Sequence, residues 1–354
     1  MIFQPRADDT PMPVVDLAIV EANLKRMQAY CDSHGLKLRP HIKTHKMPGL
    51  AKWQLDLGAV GITCQKLGEA EIMIDAGITD ILISYPLIGP VKAARLAGLA
   101  RRATLAVVAD SPLAVDTAAE AARAAGATIR VLVEFESGGR RAGVASPADA
   151  LALAHRMGAA SGLTFGGLMT YPLGPEAAAF IAEAKALFAA EGIAVPEISA
   201  GGTPRAFHAH EVPGVTELRV GTYIYNDRNT IDQGAASLDD CALHIEATVV
   251  SRPTADRAII DAGSKSLSSD LTPGGPARGY GLMPDYPEAV IVKLNEEHGI
   301  VDLSACARRP EIGETVRIIP NHVCVVVNLH DEILMTRPGA PDVTMPVDAR
   351  GRSR

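Results

Sequence analysis

Cysteine is scarce in this chain and shows no sign of pairing. Its five cysteines, Cys31, Cys64, Cys241, Cys306 and Cys324, are scattered through 354 residues and odd in number. That argues against a disulfide framework and suits a reducing compartment, so the chain reads as cytoplasmic. Aromatic residues are few, at 4%, while alanine and glycine abound. This balance fits close helix-on-strand packing better than an all-β sandwich. The net charge is −7 with no basic run, so the electrostatic footprint of a nucleic-acid binder is missing. No apolar stretch approaches the roughly 20 residues that span a bilayer. The opening MIFQPRADDT has no charged lead before an apolar run, which predicts no secretory signal. Internal repeats and low-complexity segments are absent. What remains is ordinary globular composition, 47% hydrophobic and 21% charged, enough for one large domain or two of common size.

From Asp16 to about His34, Leu17, Val20, Leu24 and Met27 recur at helical spacing, and Asp16 can cap the start. Strand and helix then alternate. Eight apolar runs follow: LKLRPHIK, VGITCQK, DILISYP, TLAVVAD, IRVLVEFES, LTFGGLMTYP, PEISAGGTP and ELRVGTYIYND. Amphipathic helical patterns separate most of them. Strands buried on both faces and joined by helices imply a parallel sheet. Eight such units predict an α/β fold with a closed (β/α)8 barrel of the TIM type; an open doubly wound sheet is the alternative. After about Asn226 the alternation stops. The runs ALHIEATVVSRP, RAIIDAGSKSL, AVIVKLNEEHGIVDL, ETVRIIPNHVCVVVNL and DEILMTRP are of β type, broken by Gly, Pro and Asp. The expected domains are a barrel over residues 12–234 and an all-β domain over residues 235–354, with residues 1–11 as candidates to join the second. The basic tail ARGRSR predicts a loosely attached end.

In a barrel, the C-terminal ends of the strands gather around one mouth, where barrel enzymes keep their chemistry. Here those ends carry Lys43, Gln65, Tyr85, Arg140, Arg141, Tyr171, Gly201, Gly202, Thr203 and Tyr223. RPHIKTHK sets Lys43 between two histidines. If the segment is a strand, His41, Lys43 and His45 share a face, and an amine among imidazoles is a candidate nucleophile. A solvated basic strand end is the plain alternative for these eight residues alone. In ISAGGTP, small residues let backbone amides cradle an anion, and Gly221, Thr222 and Tyr223 would complete such a cup; an ordinary tight turn is the alternative. In ESGGRRAGV, Arg141 has small neighbours on one side, so its guanidinium could reach inward; a solvated Arg-Arg pair is the alternative. PNHVC puts His322 and Cys324 two apart in a β run, hence on one face. Imidazole plus thiolate suits zinc, or cobalt or manganese with added oxygen ligands. Two protein ligands do not close a structural zinc site, but they leave room for water or substrate at a catalytic one. A buried cysteine next to a satisfied histidine is the alternative.

Taken in order, RPHIKTHK, GITCQKLGEAE, GGRRAGV, AGGT, GTYIYND, DAGSK and PNHVC span nearly the whole chain. Together they resemble the fold-type III, alanine-racemase-like pyridoxal-phosphate enzymes, and within them the D-threonine aldolase and D-serine dehydratase family. The resemblance implies that Lys43 bonds pyridoxal 5'-phosphate covalently, that Arg141 faces its pyridine nitrogen, and that Gln65 and Tyr171 line its ring. It implies a phosphate cup of Gly201, Gly202, Thr203, Gly221, Thr222 and Tyr223. It assigns His322 and Cys324 to a divalent metal, whether Mn, Zn, Co or Mg. It implies a homodimer, since in this family the β domain packs on the barrel mouth, often of a partner subunit.

The reaction implied is that of a lyase on a D-β-hydroxy-α-amino acid. As a D-threonine aldolase it gives glycine and an aldehyde. The alternative is dehydration of D-serine or D-3-hydroxyaspartate to a 2-oxo acid and ammonia, with Lys43 taking the α-proton. Two residues bear on the choice. Pro172 stands where several relatives carry a histidine, and Cys324 stands where aldolases often have aspartate and dehydratases have cysteine. A non-catalytic pyridoxal-phosphate-binding regulatory protein is the reading from another class. Such proteins are barrel only, and the β domain with PNHVC argues against it.

Overall fold

Short apolar strands alternate with amphipathic helices along most of the chain. The structure, a computed structural model, describes residues 9–354. Strand β1 (Met12–Asp16) leads into helix α1 (Leu17–Ser33). The free amides of Ala18 and Ile19 donate to Asp16 Oδ1 at 2.7 and 3.3 Å, the cap expected from the sequence. Strands β2 (Lys37–Leu38), β3 (Ile62–Cys64), β4 (Asp80–Ile83), β5 (Thr104–Ala109), β6 (Ile129–Phe135), β7 (Leu163–Thr170), β8 (Ile198–Gly201) and β9 (Glu217–Arg219) follow. Between them lie α2 (Pro48–Asp56), α3 (Leu67–Asp75), α4 (Pro90–Ala100), α5 (Pro112–Ala125), α6 (Pro147–Ala159) and α7 (Glu176–Ala190). Ser111 and Ser146 cap α5 and α6, each followed by a proline at the first helical position.

The described residues form two compact units. Residues 25–43, 47–221 and 351–354 make the first. Its strands pair in parallel in the order β2-β9-β8-β7-β6-β5-β4-β3. The two ends of that path meet at a parallel bridge between His41 and Thr63, where Thr63 N donates to Pro40 O at 2.8 Å. The sheet therefore closes into a barrel, and the open-sheet alternative falls away. A polar chain runs through this unit. Arg39 Nε donates to Glu217 Oε2 at 2.8 Å, Ser199 Oγ to Glu217 Oε1 at 2.6 Å, and Arg219 Nε to Ser199 Oγ at 2.8 Å. Buried charges of this kind persist because neighbours satisfy their hydrogen-bonding groups.

Two expectations are corrected in this unit. LKLRPHIK is a strand only over Lys37–Leu38; after Pro40 and the bridge at His41 the chain winds into a 3-10 turn, Ile42–Thr44. Proline lacks the N–H that a ladder needs, so strand alternation does not extend over His41, Lys43 and His45. The basic tail is seated rather than loose. Gly68 N, in the first turn of α3, donates to Arg354 O at 2.9 Å. A Cβ on Gly68 would lie 2.9 Å from that oxygen, so only glycine permits the approach.

The second unit comprises residues 9–24, 44–46 and 222–350 among those described. It contains α8 (Arg228–Asp232), β10 (Leu243–Thr254), β11 (Arg257–Ile260), α9 (Ser264–Leu267), β12 (Val290–Leu294), β13 (Gly299–Asp302), β14 (Thr315–Ile318), α10 (Val323–Leu329), β15 (Glu332–Thr336) and β16 (Val343–Pro346). The sheet order is β12-β13-β11-β10-β1-β15-β16, with β14 also on β10. All pairings are antiparallel except β1 with β15. β1 thus belongs to this sheet; of residues 1–11, the first eight lie outside the described residues. β10 alternates buried and half-buried positions from Leu243 to Val249, the period of a strand with one face inward.

Two runs in this unit depart from their expected type. In RAIIDAGSKSL only Arg257–Ile260 is a strand, and Ser264–Leu267 is helical. In ETVRIIPNHVCVVVNL only Thr315–Ile318 is a strand, and Val323–Leu329 is helical. Val323, Val326 and Val327 are fully buried, at the i, i+3, i+4 spacing of a helix stripe. That packing outweighs the β preference of the valines.

Candidate functional site

In the barrel unit, Lys43 sits at the centre of the 3-10 turn that follows the closing bridge. Its backbone N–H donates to His41 Nδ1 at 3.4 Å. An imidazole that accepts at Nδ1 donates at Nε2, and Nε2 lies 3.0 Å from Gln65 Oε1 and 3.2 Å from Ser84 Oγ. Gln65 Nε2 donates to Ser84 O at 3.1 Å. His41 therefore braces the Lys43 turn against Gln65, and Ser84 enters as a member that sequence reasoning missed.

Gly201 ends β8, and Gly202 takes φ +128 before two short 3-10 turns within Thr203–Glu211, separated by a kink at Arg205. The first N–H groups of a helix have no intrahelical acceptor and point outward, which suits an anion. A Cβ on Gly202 would meet Tyr171 Cε2 at 3.8 Å, so the Tyr171 ring borders this turn. Arg141 places its guanidinium carbon 4.6 Å from the centre of the Tyr171 ring, while its Nη2 lies 3.7 Å from Glu134 Oε1. Gln65, Arg141, Tyr171, Gly201, Gly202 and Thr203 thus all belong to this unit.

Sequence reasoning passed over two buried partners here, Glu134 and Arg219. Burial pushes the Glu134 carboxyl up, against the pull of Arg219 and Arg141. Burial also brings Arg219 down to about 10, against Glu217 and Glu134. The Arg219 guanidinium lies beneath Gly201, where an added Cβ would be 3.4 and 3.5 Å from its terminal nitrogens. The only signal in the sequence was its place two residues before Gly221.

Gly221 belongs to the barrel unit, and at Thr222 the chain passes into the second unit. There Thr222 and Tyr223 open a 3-10 turn, Thr222–Ile224, with Tyr223 buried. His322 stands just ahead of α10 in extended conformation, and Cys324 lies in the helix's first turn. The pair does not sit on a β run. It is brought together by the strand-to-helix junction instead, and the two side chains share a hydrogen bond. His322 Nδ1 is 2.9 Å from Oδ2 of Asp227, which is fully buried. Cys324 Sγ is 3.2 Å from Thr44 Oγ1 and 3.8 Å from Thr222 Oγ1. Burial opposes a charge on His322, but the Cys324 thiolate and Asp227 outweigh it and push its pKa up to about 11. Among the described residues, no group of three or more His, Cys, Asp or Glu side chains is placed to hold a metal. His298 is exposed, and His330 Nε2 lies 3.2 Å from Ser266 O. Also among the described residues, no helix is long and apolar enough to cross a membrane.

The alanine racemase N-terminal domain family matches residues 15–229. The chain belongs to this family, the fold-type III pyridoxal-phosphate enzymes. The putative serine dehydratase domain family matches residues 242–336. D-threonine aldolase of Arthrobacter sp is 39% identical over 98% of this chain and 94% of its own length. The structure of D-threonine aldolase from Filomicrobium marinum matches with a TM-score of 0.88 at 34% identity, covering 98% of this chain and 97% of the other. D-threo-3-hydroxyaspartate dehydratase from Delftia sp. matches with a TM-score of 0.85 at 31% identity, covering 96% and 97%. In solved forms of that dehydratase, a histidine and a cysteine two positions apart are each replaced by alanine, and the cysteine variant is in a metal-free form.

Proposed function

We propose that this chain is a lyase on D-β-hydroxy-α-amino acids, dependent on pyridoxal phosphate and a divalent metal. Its reaction is that of a D-threonine aldolase, cleavage to glycine and an aldehyde. The observation that carries this reading is the 39% identity to the Arthrobacter D-threonine aldolase over nearly the whole of both chains. A homodimer and a cytoplasmic location belong to the same reading.

The residues present fit both groups. The glycine turn at Gly202, leading into a 3-10 turn, suits a phosphate. An imidazole backed by a buried carboxylate, next to a thiol, suits a borderline-soft divalent ion. Lys43 would hold the cofactor covalently, with Gln65 and Tyr171 along its ring and Arg141 toward its pyridine nitrogen. The Gly201–Thr203 and Gly221–Tyr223 backbones would hold its phosphate. His322 and Cys324 would hold the metal in a β domain of residues 235–354, while a barrel of residues 12–234 would hold the cofactor. When bound, the cofactor supplies an electron sink for carbanion character at Cα, and the metal supplies a Lewis acid that acidifies the β-hydroxyl. The chain's own contribution is orientation. Arginine is always charged and offers no acceptor, so Arg141 at the pyridine nitrogen would disfavour its protonation and restrain the sink. By orienting the bound substrate, the phosphate and ring contacts would select whether the Cα–Cβ bond or the Cα–H bond breaks.

Dehydration of D-serine or D-3-hydroxyaspartate is the second reading. Cys324 favours it, through the histidine and cysteine replaced in the Delftia dehydratase. In that reaction the Lys43 amine takes the α-proton and hydroxide leaves from Cβ. Incubation of the cofactor-loaded protein with D-threonine and with D-serine separates the two. Glycine plus acetaldehyde supports the aldolase; a 2-oxo acid plus ammonia overturns it for the dehydratase.

The turn itself can be tested. At φ +128 an alanine at position 202 has room but strained backbone, at a cost of about 1–3 kcal/mol. Gly202→Ala is therefore expected to weaken pyridoxal-phosphate binding about 10-fold or more in a fluorescence titration. Unchanged affinity would count against the cup.

A further inference from the structure

The motif GTYIYND ends in a residue with more hydrogen-bonding capacity than its local role requires. Asn226 adopts a left-handed conformation, φ +50, at the end of the Thr222–Ile224 turn. The turn is pinned on both sides. Asn226 Nδ2 donates to Tyr223 O and Asp240 O, each at 3.2 Å, and Asn23 Nδ2 donates to Asp240 O at 2.8 Å. The chain then extends, and Asp227 caps α8. Its Oδ1 accepts from Thr230 N at 2.9 Å, and Thr230 Oγ1 accepts from Asp227 N at 2.8 Å. A serine or asparagine would cap as well. The second oxygen, Oδ2, has a different task. It lies 2.9 Å from His322 Nδ1 and accepts from Val323 N at 3.2 Å. The segments carrying the two partners are also tied by backbone bonds, Arg228 N to Pro320 O at 3.1 Å and Asn229 N to Asn321 O at 3.2 Å.

We propose that Asp227 is the positioning residue of the metal pair: it holds the Nδ1 proton of His322 and so reserves Nε2 as the metal-binding atom. A carboxylate does this better than a neutral cap because it accepts only, so it stabilises a single tautomer and ring orientation and raises the donor strength of the far nitrogen. Thr44 Oγ1 and Thr222 Oγ1 perform the matching task at Cys324 Sγ. Thr44 is also the residue next to Lys43 in the sequence, so the hydroxyl set against the proposed metal thiolate is one peptide from the proposed cofactor lysine. This inference rests on the reading of His322 and Cys324 as metal ligands.

The test uses the cofactor-loaded full chain and reads divalent metal affinity by equilibrium dialysis, with Zn²⁺ and Mn²⁺ as probes. Asp227→Asn keeps the cap and the volume and removes the charge. It is expected to weaken metal binding about 10–100-fold, with the cofactor's visible absorbance unchanged. His322→Ala is expected to weaken it further. Metal bound by the wild type and equally well by Asp227→Asn overturns the role of Asp227 and leaves the ligand pair standing. No metal bound by the wild type, or equal binding after His322→Ala, overturns the ligand reading and this inference with it. Should Asp227→Asn fail to fold, the wild type still decides the matter. ¹⁵N-histidine spectra of the Zn²⁺-loaded protein should show His322 protonated at Nδ1 and metallated at Nε2, and metal on Nδ1 overturns the proposal.

Discussion

Lys43→Ala is expected to abolish turnover, with a loss of at least about 1,000-fold in kcat, and to give a colourless protein. The expectation follows from the role proposed for this amine. In that role it would hold the cofactor covalently in the resting enzyme and, in the dehydratase alternative, would take the α-proton. Fold loss is a poor competing explanation. Lys43 is only half-buried, and its backbone donates to His41 Nδ1 whichever side chain it carries. Lys46, three residues on, is buried, and its carbonyl accepts from Ala349 N at 3.0 Å. It is the natural control: Lys46→Ala should keep the visible absorbance. Borohydride reduction of the wild type followed by peptide mapping should place the cofactor on Lys43. A yellow, active Lys43→Ala protein, or a label on Lys46, would remove the central element of the proposed function.

Metal removal is the second large effect. If His322 and Cys324 hold a Lewis acid at the β-hydroxyl, chelation or Cys324→Ala should cost about 3 kcal/mol of transition-state stabilisation, near 100-fold in kcat. Cys324→Ala is the cleaner variant. It deletes one sulfur from the first turn of α10 and leaves the buried stripe of Val323, Val326 and Val327 intact. His322→Ala also takes away the side-chain partner of the fully buried Asp227 and can lose stability for that reason alone. Rates with D-threonine, measured with and without chelator, read the effect directly. A chelator-insensitive wild type would mean that His322 and Cys324 are a structural pair. Cys324→Asp adds a sharper readout. A carboxylate there is still a metal ligand, so activity should recover relative to Cys324→Ala, and any shift in the ratio of aldehyde to 2-oxo acid would show how far this ligand directs the reaction.

Much of the scaffold was legible in the chain because local and global signals agree there. Seven of the eight apolar runs end at a proline or charged residue and the eighth, ending at Ser137, is followed by Gly138, and each long helix has an apolar face that needs a sheet to cover it. α6 starts where local chemistry favours it, with Ser146 as cap and Pro147 in the first turn. Legibility failed where one signal overrode another. LKLRPHIK has strand composition, but Pro40 removes a ladder donor and the chain turns at Ile42. VCVVVNL has strand composition too, but three valines fit a buried helical stripe. The tail ARGRSR reads as loosely attached because its seat depends on a missing side chain at Gly68, which no property of the tail reveals.

The same division runs through the site. The sequence by itself determined which chemical groups are available: an amine in RPHIKTHK, a glycine turn in AGGT, an imidazole and a thiol in PNHVC. Residue type and short-range spacing are local properties, and they suffice to name those groups. Only the tertiary structure decided what holds them. His41 braces the lysine turn through Gln65, with Ser84 at the same nitrogen. Glu134 and Arg219 lie buried near Arg141 and Gly201. Asp227 meets His322 across 95 positions of sequence. A carboxylate reads alike whether it caps a helix with one oxygen or also holds an imidazole with the other; which of these happens depends on the backbone pairing that brings the two segments together.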